Sequence, residues 1–381
     1  MNGKATGALF AAMEMVEEGQ KQPQISGERI KLEEIVEEEG EDRISALQDC
    51  LLLEILSLLP STKDAIRTGT LSKRWKHLWM STPTLIFKLS DDRLTQYRQI
   101  PTSRSNFVSF VDKTLTQRRQ LKLKKFAVRI YYDIEIESQV KNWIRYAMSC
   151  NVEELTLDLC VIGLEAKLQL DQNIYISSNV THLRLSGCVL NPSGAISWKN
   201  LRILCISNEK LDEDLIENIL SGSPVLETLV MNGCYGYSRL DVTSKSVKKL
   251  VFSGYFDPED GSDYALDIIE INAPDIVSLT IRGNLWLWKV LLGNVSSLVE
   301  ANLDYNYKKL RHWETTPEEA EEEMLKGFML KFRHVKEIKI GVLCSEALSR
   351  LKAKGFITPS NAKWSGSNCF HSREREKERD A

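Results

Sequence analysis

The sequence predicts an α/β fold: a small N-terminal module of three helices, then an irregular solenoid whose strands line up as a parallel sheet on a concave face. Three observations predict it. One apolar spacing recurs nine times from residue 121 onward. A dense run of leucine, isoleucine and tryptophan precedes it over 42–88. The chain of 381 residues has room for two or three domains at roughly 150 residues each.

The bulk numbers narrow the function classes. Hydrophobic residues make up 43% and charged residues 27% of the chain, which suits a soluble globular protein. A formal net charge of −3 exerts no long-range pull on nucleic acid or an anionic membrane. The opening MNGKATGALFAAMEMVEEGQ holds a short apolar stretch and then turns acidic, so no secretory signal is expected. No apolar run approaches the ~20 residues of a membrane span. The eight cysteines (Cys50, Cys150, Cys160, Cys188, Cys205, Cys234, Cys344 and Cys369) form no CxxC pair and are too dilute for a disulfide framework. A reducing compartment, cytosol or nucleus, is the expectation.

Residues 1–41 read as a disordered acidic arm with few aromatics to build a core. Residues 42–88 change character: DRISALQDCLLLEILSLLPSTKDAIRTGTLSKRWKHLWMSTPTLIF reads as three short helices. The first runs from about Gln48 to Leu59 and stops at Pro60. The second starts at Ser61 or Thr62, with Asp64 placed for a capping box. The third starts after Ser72 and carries Trp75, Leu78 and Trp79. Residues 89–120 form a helical connector, with Phe107, Val111 and Leu115 on one face.

The solenoid is expected over 121–345. Its motif is apolar, two spacers, apolar, one spacer, apolar, as in Val152-Leu155-Leu157 and Val180-Leu183-Leu185. The repeats start at Leu123, Val152, Val180, Leu201, Leu226, Val247, Ile276, Leu298 and Val335, at intervals of 29, 28, 21, 25, 21, 29, 22 and 37. All but the last interval match leucine-rich repeats, which ask for Asn or Cys three places after the final apolar residue. Cys160, Cys188, Cys234, Asn284 and Asn306 stand there. Helices are expected at SQVKNWIRYAMSC and at LDEDLIENILSGSP, the latter capped near Asp212 and stopped by Gly222. EEAEEEMLKGFML adds another in the long last interval. Residues 346–381 read as a C-terminal helix and a charged disordered tail.

On a wheel, the apolar arc of the first helix spans about 220°, against the ~100° that one core needs. A module this small hides too little surface to be robust alone. The surplus either docks another chain or caps the repeat array.

The string DRISALQDCLLLEILSLLPSTKDAIRTGTLSKRWKHLW resembles the F-box of plant-type F-box/LRR proteins, and the repeats resemble the same family. That resemblance implies a non-catalytic adaptor: the F-box binds a Skp-family adaptor on a cullin scaffold, and the repeats present a protein for ubiquitination. Carried over by position, the docking surface is Leu47, Gln48, Leu51, Leu52, Ile55, Leu56, Trp75, Leu78 and Trp79. Two departures stand out. The family has proline where this chain has Gln48, which implies weaker docking. Relatives often continue into a strand-rich domain where this chain reads SNCFHSREREKERDA.

In each repeat strand, residues flanking the core positions point to the concave face. These include Arg129, Asp158, His182, Arg184, Lys249, Arg282 and Asp304, mixed in sign as protein recognition requires. Trp286 and Trp288 either anchor a partner or fill space beneath a loop. His77, His182, His312, His334 and His371 lack metal-ligand spacing. No Walker loop, GxSxG elbow or HExxH is present. Neither enzyme activity nor a cofactor is expected. Glu318 to Glu323 read as a solvated helix face rather than a cation site. Two alternatives stay open: a ligase-independent scaffold whose helical module is only a cap, and a small-molecule co-receptor with a pocket on the concave face.

Overall fold

A computed structural model describes residue 44 and residues 47–89, 100–118, 120–161, 167–256, 268–287, 289–307 and 317–364. The acidic arm over 1–41, the charged tail beyond 364, Trp288, His312 and His371 lie outside the described residues.

Three short helices open the fold: α1 (Asp49–Ser57), α2 (Thr62–Arg67) and α3 (Trp75–Leu78). The Ser61 Oγ accepts the Asp64 N–H at 3.2 Å, capping α2 as its sequence dictates. A 3-10 turn over Trp79–Ser81 follows α3. Leu52, Leu56, Ala65, Ile66, Trp75, Leu78 and Trp79 close into one small core.

Thr84–Lys88 forms strand β1, which pairs in parallel with β2 (Lys125–Tyr132) from Thr84 beside Lys125 to Lys88 beside Arg129. This corrects the module boundary at 88. TLIFK alternates, Leu85 and Phe87 are buried, and the stretch serves as the first strand of the sheet. The joint is tied by the Ile86 N–H on the Thr62 Oγ1 at 2.7 Å and by Arg118, whose Nη2 donates to the Thr82 carbonyl at 2.7 Å. Helix α4 (Ile100–Gln117) buries Phe107 and Val111. It meets α5 (Glu137–Ser149) where the Trp143 Nε1 donates to Asp112 at 2.6 Å.

The repeats supply β3 (Glu154–Val161), β5 (His182–Ser186), β7 (Ile203–Ser207), β8 (Thr228–Asn232) and β10 (Lys249–Tyr255). They continue with β12 (Ser278–Leu285), β14 (Glu300–Tyr307), β15 (Glu337–Ile340) and β16 (Ala362–Trp364). With β1 and β2 these make an 11-stranded sheet in the order β1-β2-β3-β5-β7-β8-β10-β12-β14-β15-β16. Leu155, Leu183, Leu204, Leu229, Leu250 and Leu279 stand in one register across it, all buried. The helices behind it include α6 (Glu213–Ser221), α7 (Pro317–Lys331) and α8 (Ser345–Ala353). Asp212 caps α6 through the Leu215 N–H at 2.7 Å. Gly222 ends that helix where a Cβ would stand 2.4 Å from the Ile196 carbonyl oxygen, too close for any other residue.

Two features were not expected. Short strands between repeats pair in parallel on their own: β4 (Leu168–Gln169) with β6 (Cys188–Val189), and β9 (Arg239–Asp241) with β11 (Ile268–Asn272) and β13 (Lys289–Leu292). Runs of two to five residues carry too little periodicity to be read as strands. Likewise β16 falls in the stretch read as tail; it pairs with β15 through Ile338 beside Ala362 and Ile340 beside Trp364. Among the described residues, no helix is long and apolar enough to cross a membrane.

Candidate functional site

Helix α1 divides its apolar arc between two jobs. Leu52 and Leu56, one turn apart, face the module core. Leu51 (45% exposed), Ile55 (40%) and Leu58 (85%) form a second stripe open to solvent, and Leu71 (66%) beyond α2 is open as well. The docking set assigned from sequence therefore divides between core and surface. Leu52, Leu56, Trp75, Leu78 and Trp79 are sealed in the core, because two tryptophans and five aliphatic side chains are what so small a bundle has to build one. Leu47 is half-buried, and Gln48, Leu51 and Ile55 are exposed. Gln48 is the N-cap rather than the first helical residue, with φ −67 and ψ 150, a φ that proline also adopts. Arg74 braces the start of α1 by donating to Asp49 and, at 2.6 Å, to the Leu47 carbonyl.

The register brings the predicted concave-face residues onto one side of the sheet. Arg129 stands beside Asp158 and pairs with it at 2.6 Å. His182 stands beside Glu154, and its Nδ1 lies 2.9 Å from the Thr181 Oγ1. Arg184 reaches the Cys205 Sγ at 3.3 Å. Lys249 is exposed at the start of β10. Arg282 stands beside Asp304 but donates to the Ser253 Oγ at 3.2 Å, while Asp304 accepts the Leu343 N–H at 2.9 Å. Trp286 is half-buried and meets the exposed ring of Phe256 edge-on at 6.1 Å. Two open, shallow depressions of about 600 Å³ among the described residues lie elsewhere. One is lined by Asn294, Val295, Lys331 and His334, the other by Glu322, Lys326, Lys354 and Phe356.

Sequence reasoning missed one residue of consequence. Glu209 occupies the repeat position where the consensus asks for Asn, three places after Ile206. It does the work of that Asn, accepting the Cys188 N–H at 2.9 Å. Lys167 pairs with it at 3.3 Å and lies over the Tyr235 ring. Burial dominates, and the Glu209 carboxyl is pushed up from 4.5 to about 7. The folded state therefore holds this proton more tightly than the unfolded chain. The resulting stability is complete below pH 4.5 and is lost as the pH rises through about 7. At about 1.4 kcal/mol per pH unit the gap is worth about 3 kcal/mol. Glu209→Gln lacks this term. Urea unfolding from pH 4.5 to 8 should show the variant gaining about that much on the wild type as the pH rises; a constant difference would refute the assignment.

Cys188 and Cys234, two of the cysteines at the repeat position, pack as buried thiols. Burial pushes the Cys234 thiol up to about 12 and Cys188 higher still, and the Cys234 Sγ donates to the Ile206 carbonyl at 3.4 Å. Cys344 is likewise buried and pushed up to about 12. Among the described residues, no group of three or more His, Cys, Asp or Glu is placed to hold a metal ion. The acidic run of α7 is corrected from a solvated face to a clamp. Glu321 and Glu322 take Arg350 at 2.9 and 2.7 Å, Glu322 takes Lys354 at 2.7 Å, and Glu323 takes Lys289 at 2.8 Å. Burial opposes the charge of Glu322, but hydrogen bonds from Lys354 and Arg350 hold its carboxyl below the ordinary value.

Comparison with known proteins matches both halves of this architecture. The family described as At1g61320/AtMIF1, LRR domain, matches residues 114–346. The F-box protein At5g03100 of Arabidopsis thaliana is 31% identical over 84% of this chain and 95% of its own length. The F-box/LRR-repeat protein At5g02910 of the same plant is 34% identical over 72% of this chain, which spans 55% of that relative. F-box/LRR-repeat protein 25, also from Arabidopsis thaliana, is 34% identical over 54% of this chain and 73% of its own length. Taken with the helical module, the parallel repeat sheet and these identities, the chain belongs to the plant F-box/LRR-repeat protein family.

Proposed function

We propose that the chain is the target-recognition subunit of an SCF-type cullin ubiquitin ligase. Its helical module docks a Skp-family adaptor, and its concave face holds a protein target for ubiquitination. The observation that carries this reading is the second apolar stripe of α1, Leu51, Ile55 and Leu58, left in water by a core that is already complete. Such a stripe on a soluble chain marks an interaction site. Membership of the F-box/LRR-repeat family supports the same role in general. The role is non-catalytic and needs no cofactor. It belongs in the cytosol or nucleus, where buried thiols such as Cys188, Cys234 and Cys344 would stay reduced.

Co-expression of the full chain with a Skp-family adaptor, followed by affinity purification in mild salt, tests it. A stoichiometric complex by size exclusion is the expected result. A chain that elutes alone overturns the docking half.

One observation favours a second reading, a ligase-independent scaffold. The module ends in β1 and covers the first edge of the sheet. On that reading, deleting residues 42–88 would unfold the repeats and remove no partner.

A further inference from the structure

The two central strands of the concave face carry no charge. Ile203, Cys205 and Ser207 of β7 stand beside Thr228, Val230 and Asn232 of β8. Cys205 and, on the next strand, Val251 are buried, so the middle of this tract is an apolar floor. Cations border it on both sides: Arg184 on β5, Lys249 on β10 and Arg282 on β12, all exposed. None of the three has a carboxylate in ion-pair range among the described residues; Arg184 rests on the Cys205 Sγ and Arg282 on the Ser253 Oγ. The neighbouring carboxylates are engaged elsewhere. Glu154 lies 3.5 Å from Lys125, Asp158 pairs with Arg129, and Asp304 holds the Leu343 N–H. The seat of Asp304 is built in, since at Gly341 any Cβ would collide with its carboxyl group. Past β12 the charge is mixed: Glu300 on β14 is exposed, while its register partner Glu337 on β15 lies 3.5 Å from both Lys339 and Lys363.

We propose that the face over β5 to β12 receives an acidic, unmodified stretch of the target polypeptide, in which one apolar residue is flanked on each side by carboxylates. The inference rests on the receptor reading above and names the chemistry of its target. The spacing follows from sheet geometry. Arg184 and Lys249 are three strand steps apart, ~14 Å, and Arg184 and Arg282 four steps, ~19 Å, at ~4.8 Å per step. An extended peptide crossing the strands covers those spans in roughly four and six residues. The apolar residue then sits on Cys205, Val230 and Val251, midway between the carboxylates.

The arrangement disfavours other anions. A phosphate group is held by several donors converging on one point, whereas these cations are spread across the sheet. A nucleic acid needs a continuous basic track with stacking aromatics, and the two central strands offer neither. Glu300, exposed on β14, repels an acidic segment that slides past Arg282.

The test uses the full chain in complex with its adaptor and a fluorescein-labelled peptide, Asp-Glu-Ser-Leu-Ser-Glu-Asp, read by fluorescence anisotropy. Expected are binding at least tenfold tighter than that of the same peptide with lysine at every acidic position, and a further loss when glycine replaces the leucine. The triple variant Arg184→Glu, Lys249→Glu, Arg282→Glu should weaken the acidic peptide at least tenfold. Adaptor capture should stay unchanged, since all three side chains lie on the sheet and not on α1. The neutral triple variant, glutamine at the same positions, should give a smaller loss in the same direction. Equal binding of the lysine peptide, undiminished binding to both variants, binding only of a phosphoserine version, or equal binding of single-stranded poly-uridylate would each overturn the proposal. So would an absence of binding. In that case adaptor capture in the same sample shows whether the receptor reading stands without it.

Discussion

Replacing Leu51 and Ile55 together by aspartate is expected to abolish capture of a Skp-family adaptor while leaving the chain folded. Both side chains project from α1 into solvent, 45% and 40% exposed, so the free protein loses little; surface changes of this kind stay within about 0.5 kcal/mol. The docked state loses much more. Each aspartate would bring a carboxylate into the apolar surface that the proposed docking dries, and central interface positions cost about 2 kcal/mol or more apiece. Two of them come to about 4 kcal/mol, roughly a thousandfold in affinity. Affinity purification and urea unfolding of the double variant are the paired measurements. Leu52→Asp supplies the contrast: it charges the sealed face of the same helix, so it should unfold the module and lose the adaptor by that route. Full adaptor capture by Leu51→Asp with Ile55→Asp would show that this stripe is not the docking face.

The second large effect is expected at Trp198. Its ring is fully buried against Tyr175, with centroids 6.2 Å apart, and its Nε1 donates to the Ile174 carbonyl at 2.7 Å. Trp198→Ala opens a cavity worth about 4 kcal/mol and strands that carbonyl at a further cost of about 1 kcal/mol or more. That is a large fraction of the 5–15 kcal/mol typical of a domain. Because a solenoid repeat touches only its neighbours, hydrogen exchange should rise first in β5, β7 and β8 rather than at α1. Trp198→Phe keeps most of the ring and loses only the hydrogen bond, so it should cost about 1 kcal/mol. A uniform rise in exchange along the chain would mean that the repeats unfold as one unit.

Much of this architecture is legible from residue order. Leu155 and Leu157, Leu183 and Leu185, and their counterparts fall in strands because a spacing of two puts both on one side of a pleated backbone. Asp212, Ser61 and Gly222 mark helix ends through local hydrogen bonding and size, and each does so in the structure. What sequence does not reveal is allocation. The leucines of α1 are equally apolar, and only the closed bundle decides that Leu52 and Leu56 go inside while Leu51 and Ile55 stay out. The tryptophans follow the same rule: Trp75 and Trp79 have the chemistry of interface anchors, and in the structure they are the largest groups filling the small core. Glu209 was hidden because a glutamate in place of the consensus Asn reads as a break in the pattern, and its burial depends on Lys167, some 40 residues earlier in the chain. The strands of β9, β11, β13 and β16 are shorter than the windows over which alternation can be read.

The strand Thr84–Lys88 joins the helical module and the repeats into one arm through backbone pairing. The arm then works as a ruler. Each repeat inserted ahead of a given strand would carry whatever rests there ~4.8 Å farther from α1, with an added increment of twist. On the proposed receptor role, which lysines of a captive protein come within reach of the transferred ubiquitin would thus be set by counting strands from β1.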